Sequence, residues 1–259
     1  MNFDGLDPII LGPALAAGVL VVSTHVPLGQ QVLKRGIIFI DLAVAQIASL
    51  GVLAAHTVGL DHSAVGIQAM AFGAALLGAL LLHHCERCWQ DYLEAAIGTI
   101  FVLASSAAVL LLANDPHGGD HLRDLLVGQI LWTGPERLLP VLGLYMLVLA
   151  AWFGLAAQTR SALFYILFAL SITASVQLVG VYLVFASLII PALAVRRVQR
   201  PCLSLTGGYV VGILGYSGGL ALSAVFDLPA GAMIVWTLLA AAALISFLSR
   251  PLYETPENH

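Results

Sequence analysis

GIIFIDLAVAQIASLG, residues 36–51, opens a long apolar run yet carries a carboxylate at Asp41 and an amide at Gln46. Everything else of note there is small or aliphatic, including Ala43, Ala45, Ala48, Ser49 and Gly51. An ionisable group inside a membrane span is costly and usually faces a bundle interior or a polar pathway. Small residues around it let neighbouring helices approach closely. The other reading puts Asp41 near the interface, solvated or paired with Lys34 or Arg35, which lie roughly 10 Å along the helix and can snorkel. The residues alone leave both open.

The membrane class follows from composition. Of 259 residues, 60% are hydrophobic and 9% charged, with net charge −4 and mean hydropathy +0.99. A soluble domain carries about 25% charged residues. Apolar runs of about 20 residues, enough to cross the hydrocarbon core, recur along the chain. The expected fold class is therefore all-α, a polytopic helical membrane protein with one transmembrane domain over 1–259 and the lipid bilayer as its surroundings. The first run does not read as a signal peptide, because Asp4 and Asp7 stand where a basic region belongs. Three cysteines, Cys85, Cys88 and Cys202, make no disulfide framework.

The runs predict spans at 9–31, 37–58, 63–82, 95–113, 138–157, 162–179, 180–195, 206–226 and 230–248. The break at Gly180 is either a boundary between two crossings or a bend between a helix and a short half-helix, so eight or nine crossings are expected. Leu125 to Trp132 is too short to span and reads as a re-entrant or interfacial helix. Lysine and arginine set the orientation. With the Lys34–Arg35 turn inside, alternation also places Arg87, Arg160, Arg196, Arg197, Arg200 and Arg250 inside, leaving Arg123 and Arg137 outside. The amino terminus is then external and the carboxyl tail internal.

That topology sorts the metal-ligand types. His56, Asp61 and His62 fall at one external turn, and Asp115, His117, Asp120 and His121 in the long external loop. Imidazole with carboxylate suits zinc, manganese or iron. Gly118-Gly119 argues against a helix that would align His117 with His121, so these residues suit transient contacts with a passing ion or a merely solvated loop. The run HHCERC, His83–Cys88, offers four soft or borderline ligands on a predicted inner loop, half of a zinc arrangement without its second half. Otherwise it is a reduced, exposed loop. No G-x4-G-K-[ST] phosphate loop and no H-E-x-x-H motif occurs, and no convincing inverted repeat is visible.

Five segments resemble one family. Val179-Gly180 followed by Ile190-Pro191-Ala192 and Arg196-Arg197 is similar to the late helix of the permease subunits of ABC transporters importing zinc, manganese or iron. The 36–51 stretch resembles the family's early helix, with its Gly-Asp-x3-His-Ala pattern before a glycine. Glu94–Gly98, Asp124–Trp132 and Phe226–Val235 (FDLPAGAMIV) resemble three further family segments, in the family order. There are two departures. Counting back from Gly51, the family histidine falls at Gln46 and its aspartate at Leu42, with Asp41 one residue early. Leu155–Ala162 also lacks the acidic-aromatic helix that enters the cleft of the ATPase.

The resemblance implies a type II importer-like permease of a bacterial cytoplasmic membrane that catalyses no covalent chemistry and holds no permanent cofactor. It would form a translocation path with a second copy, for a divalent transition metal, zinc ahead of manganese and iron. A cytoplasmic ABC ATPase and an extracytoplasmic metal-binding protein are the implied partners; nucleic acid is not expected. Transient metal contacts are expected at Asp41, Gln46, His117, Asp120 and His121. The alternatives are a permease for a metal chelate or cobalamin, which favours a wide apolar or aromatic cavity, a proton-coupled metal carrier, and a metal sensor reading HHCERC.

Overall fold

The computed structural model describes residues 8–60, 63–113, 119, 126–128, 130–155 and 160–248. Among these the regular structure is entirely helical: α1 Pro8–Arg35, α2 Ile40–Thr57, α3 Ala64–Cys88, α4 Leu93–Leu112, α5 Pro135–Gly154, α6 Ser161–Val179, α7 Val181–Ala194, α8 Pro201–Phe226 and α9 Ala230–Leu248. All but α7 are long and apolar enough to cross a membrane. Single 3-10 turns cover Gln90–Tyr92 and Ile130–Trp132.

The sequence spans recur with two instructive differences. α3 runs to Cys88 rather than ending near residue 82, so HHCERC forms the last turns of a helix and not a loop. The expected short helix at Leu125–Trp132 is helical at Leu126 and Val127, then turns at Gly128 (φ 70°) and closes with the Ile130–Trp132 3-10 turn. Residues 125 and 129 lie outside the described residues.

Gly180, with φ 80° and ψ 162°, ends α6 and begins α7. The direction of α7 follows from its neighbours. Gly18, Gly212 and Gly208 pack α1 against α8 in antiparallel order, opposite Tyr216, Val22 and Val26 respectively. Gly215 and Gly219 then pack α8 against Leu238 and Ile234 of α9, again antiparallel. α7 ends beside the end of α9, where Ser246 Oγ donates to the Ala194 carbonyl at 3.3 Å. α6 begins at the Arg35 end of α1, where the Arg35 guanidinium donates to Ser161 Oγ at 3.0 Å. The chain therefore climbs through α6, reverses at Gly180, and returns through α7. Fourteen residues make a helix about 21 Å long, short of a hydrocarbon core of about 30 Å. The reversal puts the two ends of the described chain on opposite faces, as alternation of nine passes requires.

α6 and α7 form the centre. Phe164, Phe168, Ile172, Val176, Leu183 and Leu188 are buried, and most of α6 is buried whereas most of α4 and α5 is exposed. Three hydroxyls inside this core are bonded to the backbone of their own helix. Ser175 donates to the Ser171 carbonyl at 2.6 Å, Thr173 to Ala169 at 2.7 Å and Ser187 to Leu183 at 2.6 Å. Such bonds satisfy hydroxyls that have no water to turn to.

Candidate functional site: a groove between α2, α4, α7 and α9

A groove of about 750 Å³ opens between α2, α4, α7 and α9. Its wall is aromatic and aliphatic, with Phe101, Tyr182, Phe185 and Trp236 as the large side chains; Gln46 and Ser105 are its polar members. Tyr182 and Trp236 are 57% and 69% exposed. The short α7 supplies five of the lining residues, Val181, Tyr182, Phe185, Ala186 and Ile190. Phe39, just before α2, stacks on Phe185 with centroids 6.4 Å apart and fixes that ring.

α2 presents Leu42 and Gln46 to the groove. Four residues apart, they share one helix face. These are the positions at which the resemblance places an aspartate and a histidine, so the groove receives the family's ligand positions with an aliphatic and an amide side chain in them. Asp41, about 100° around the helix from Leu42, is not part of the groove wall. It is fully buried, and neither carboxylate oxygen finds a hydrogen-bond partner among the described residues. The pairing with Arg35 considered from sequence does not form: Arg35 bonds Glu86 at 3.0 Å. Gln46 is 5% exposed. His117, Asp120 and His121 lie outside the described residues, as do Asp61, His62 and Asp115, while His56 is exposed at the end of α2.

Sequence reasoning passed over a second buried polar group. Thr24 and His25 of α1 are fully buried, with Thr24 Oγ1 3.2 Å from His25 Nδ1, and His25 Nε2 has no partner among the described residues. The Tyr145 hydroxyl of α5 donates to the Ser171 carbonyl at 3.2 Å and also meets Ser175 Oγ. The signal was the polar triplet Ser23-Thr24-His25 in the middle of the first apolar run. At the other end of the bundle Arg35 joins three helices: it bonds Glu86 of α3 and Ser161 of α6 and lies 4.4 Å over the Phe164 ring. Ser161 also donates to Glu86 Oε2.

The profile of the ABC 3 transport family matches residues 9–156 and 147–250. The chain belongs to that family. Among its relatives are the manganese transport system membrane protein MntC of Halalkalibacterium halodurans, 26% identical over 92% of this chain and 87% of the relative. The high-affinity zinc uptake system membrane protein ZnuB of Haemophilus influenzae is 25% identical over 87% of this chain and 92% of the relative. Among solved structures, PsaBC from Streptococcus pneumoniae in complex with Fab superposes with TM-score 0.79 at 20% identity, each chain fully covered. An inward-facing putative metal-chelate type ABC transporter gives TM-score 0.61 at 19% identity, over 95% of this chain and 90% of the other. The resemblance read from five motifs is borne out, and so is the all-α polytopic fold: the chain is a multi-pass membrane permease of the metal-type ABC transporter kind.

Proposed function

We propose that this chain is the permease subunit of an ABC importer for a divalent transition metal, and that the groove between α2, α4, α7 and α9 is one wall of its translocation path. The observation that carries the proposal is the placement of Leu42 and Gln46, the positions aligned with the family's ligand pair, on the groove wall. The relatives named for manganese and zinc transport support the cargo class. Zinc is put ahead of manganese and iron, all three of which suit the imidazole and carboxylate donors of the external turns.

A second copy of the chain closes the groove. Tyr182 and Trp236 present an apolar, open wall of the kind that oligomer contacts cover. Energy comes from a cytoplasmic ABC ATPase, since the chain carries no phosphate-cradling loop, and an external binding protein delivers the ion. The Arg196–Arg200 and Glu86–Asp91 segments are the docking points for the ATPase, in place of the short 155–162 connection. The buried carboxyl of Asp41, next to Leu42 on α2, is the acidic group adjoining the path, and His117, Asp120 and His121 serve as transient contacts on the external side.

One observation favours a second reading. The groove is aromatic and wide, and Leu42 removes a carboxylate from it, which suits a metal chelate better than a bare ion. Both readings are tested by uptake into cells lacking their own metal importers and expressing this chain with its ATPase. Labelled zinc or manganese competed by the free ions supports the first, and uptake seen only when the metal is supplied as a chelate supports the second. Uptake of neither above the level of cells without the chain would overturn both.

A further inference from the structure

The helical continuation of α3 through HHCERC splits the motif into separate environments. Cys85 is buried, whereas His84 and Cys88 are exposed on one face, one turn apart. His84 Nε2 and Cys88 Sγ are 3.6 Å apart. A tetrahedral zinc ion with a Zn–N bond of about 2.05 Å and a Zn–S bond of about 2.3 Å holds those two atoms about 3.6 Å apart. His83 turns away from this pair, with its Nδ1 3.5 Å from Glu86 Oε2 and its ring 5.6 Å from Tyr165. Glu86 is held by Arg35.

We propose that His84 and Cys88 form a two-ligand site for a zinc-class divalent ion at the end of α3, with water or an exogenous thiol completing the coordination. Binding replaces the thiol proton with the metal and releases that proton to solvent. No cluster of three or more ligand side chains occurs among the described residues, so the site is open and exchanges its ion, unlike the closed four-ligand sites that hold structural zinc. It shares no residue with the groove; Cys88 falls in the Glu86–Asp91 segment proposed to dock the ATPase, and the site is tested on the chain alone. It lies beside Arg87, Trp89 and Tyr92, at the basic end of the bundle that the distribution of arginine places inside the cell.

The test uses the full chain, purified in detergent, with Cys85→Ala and Cys202→Ser so that Cys88 is the sole thiol. Titration with cobalt(II) should produce a sulfur-to-cobalt charge-transfer band that saturates at one ion per chain and is abolished by zinc. Cys88→Ser should remove the band, and His84→Ala should weaken cobalt binding by at least about tenfold, the usual minimum for loss of a metal-site partner. Should Cys85→Ala prevent folding, the same two variants are compared in the chain that retains Cys85. A band of unchanged affinity in His84→Ala, or no band in the parent, overturns the site and leaves a plain thiol–imidazole hydrogen bond. Neither readout involves uptake, so failure here is distinct from failure of the permease reading.

Discussion

Gly128 and Gly180 meet backbone to backbone. A β-carbon on Gly180 would collide with the Gly128 amide nitrogen, and one on Gly128 with the Val179 carbonyl group. Both glycines hold positive φ, 70° and 80°, a region that costs L side chains energy. The contact ties the segment between α4 and α5 to the point where the chain reverses, and so it sets where α7 enters the bundle.

Gly180→Ala should therefore cost more than the ~1 kcal/mol typical of a left-handed glycine, because neither backbone can move aside. The expected outcome is a lower melting temperature in detergent and reduced membrane yield, with Gly128→Ala behaving alike. Gly143→Ala, where an added β-carbon meets nothing, is the control and should be silent.

Asp41→Asn should impair transport while leaving the fold intact. The carboxyl is buried with no partner among the described residues, and the amide keeps its shape and polarity, so the cost of burying the side chain is similar in both. Thermal unfolding and membrane yield should stay close to the parent's while zinc or manganese uptake, normalised to protein in the membrane, falls sharply. Normal uptake in this variant would remove Asp41 from the path.

The spans were legible because twenty-residue apolar runs have few other uses. The reversal at Gly180 was not, since a glycine within an apolar run serves a kink and a turn equally well and only its packing against Gly128 decides. The end of α3 was misread for a different reason: His83 to Cys88 is polar enough to look like a loop, yet Glu86 is anchored by Arg35 and Ser161 and the helix continues past it. The groove face of α2 was hidden too. Buried residues occur all around that helix, from Asp41, Ala43 and Val44 to Gln46, Ala48 and Ser49, so no stripe marks which side faces the path.

Cys88 and Cys85 should differ in reactivity. In inside-out vesicles a membrane-impermeant maleimide should label Cys88 rapidly, while Cys85, on the buried face of α3, stays largely protected until the protein is denatured. Labelling of Cys88 in intact cells would reverse the orientation derived from the basic residues.

The three-helix junction at Arg35 should be sensitive to loss of either partner. Arg35 and Glu86 side chains are 15% and 22% exposed, so the pair is worth more than a surface ion pair of up to about 1 kcal/mol. Glu86→Gln should destabilise by about 1–3 kcal/mol. In a double-mutant cycle with Arg35→Gln, measured by thermal unfolding, the two costs should fall well short of adding. Additive costs would show that the junction does not act as a unit.

The most direct measurement is metal uptake into proteoliposomes holding this chain with its ATPase, comparing internal ATP with a proton gradient alone. The groove is then filled by Ala186→Trp on α7. The account predicts uptake of zinc or manganese, free or chelated, that requires ATP, and its loss in Ala186→Trp even though the complex still assembles and hydrolyses ATP. Uptake driven by the proton gradient without ATP, or undiminished in Ala186→Trp, would contradict it.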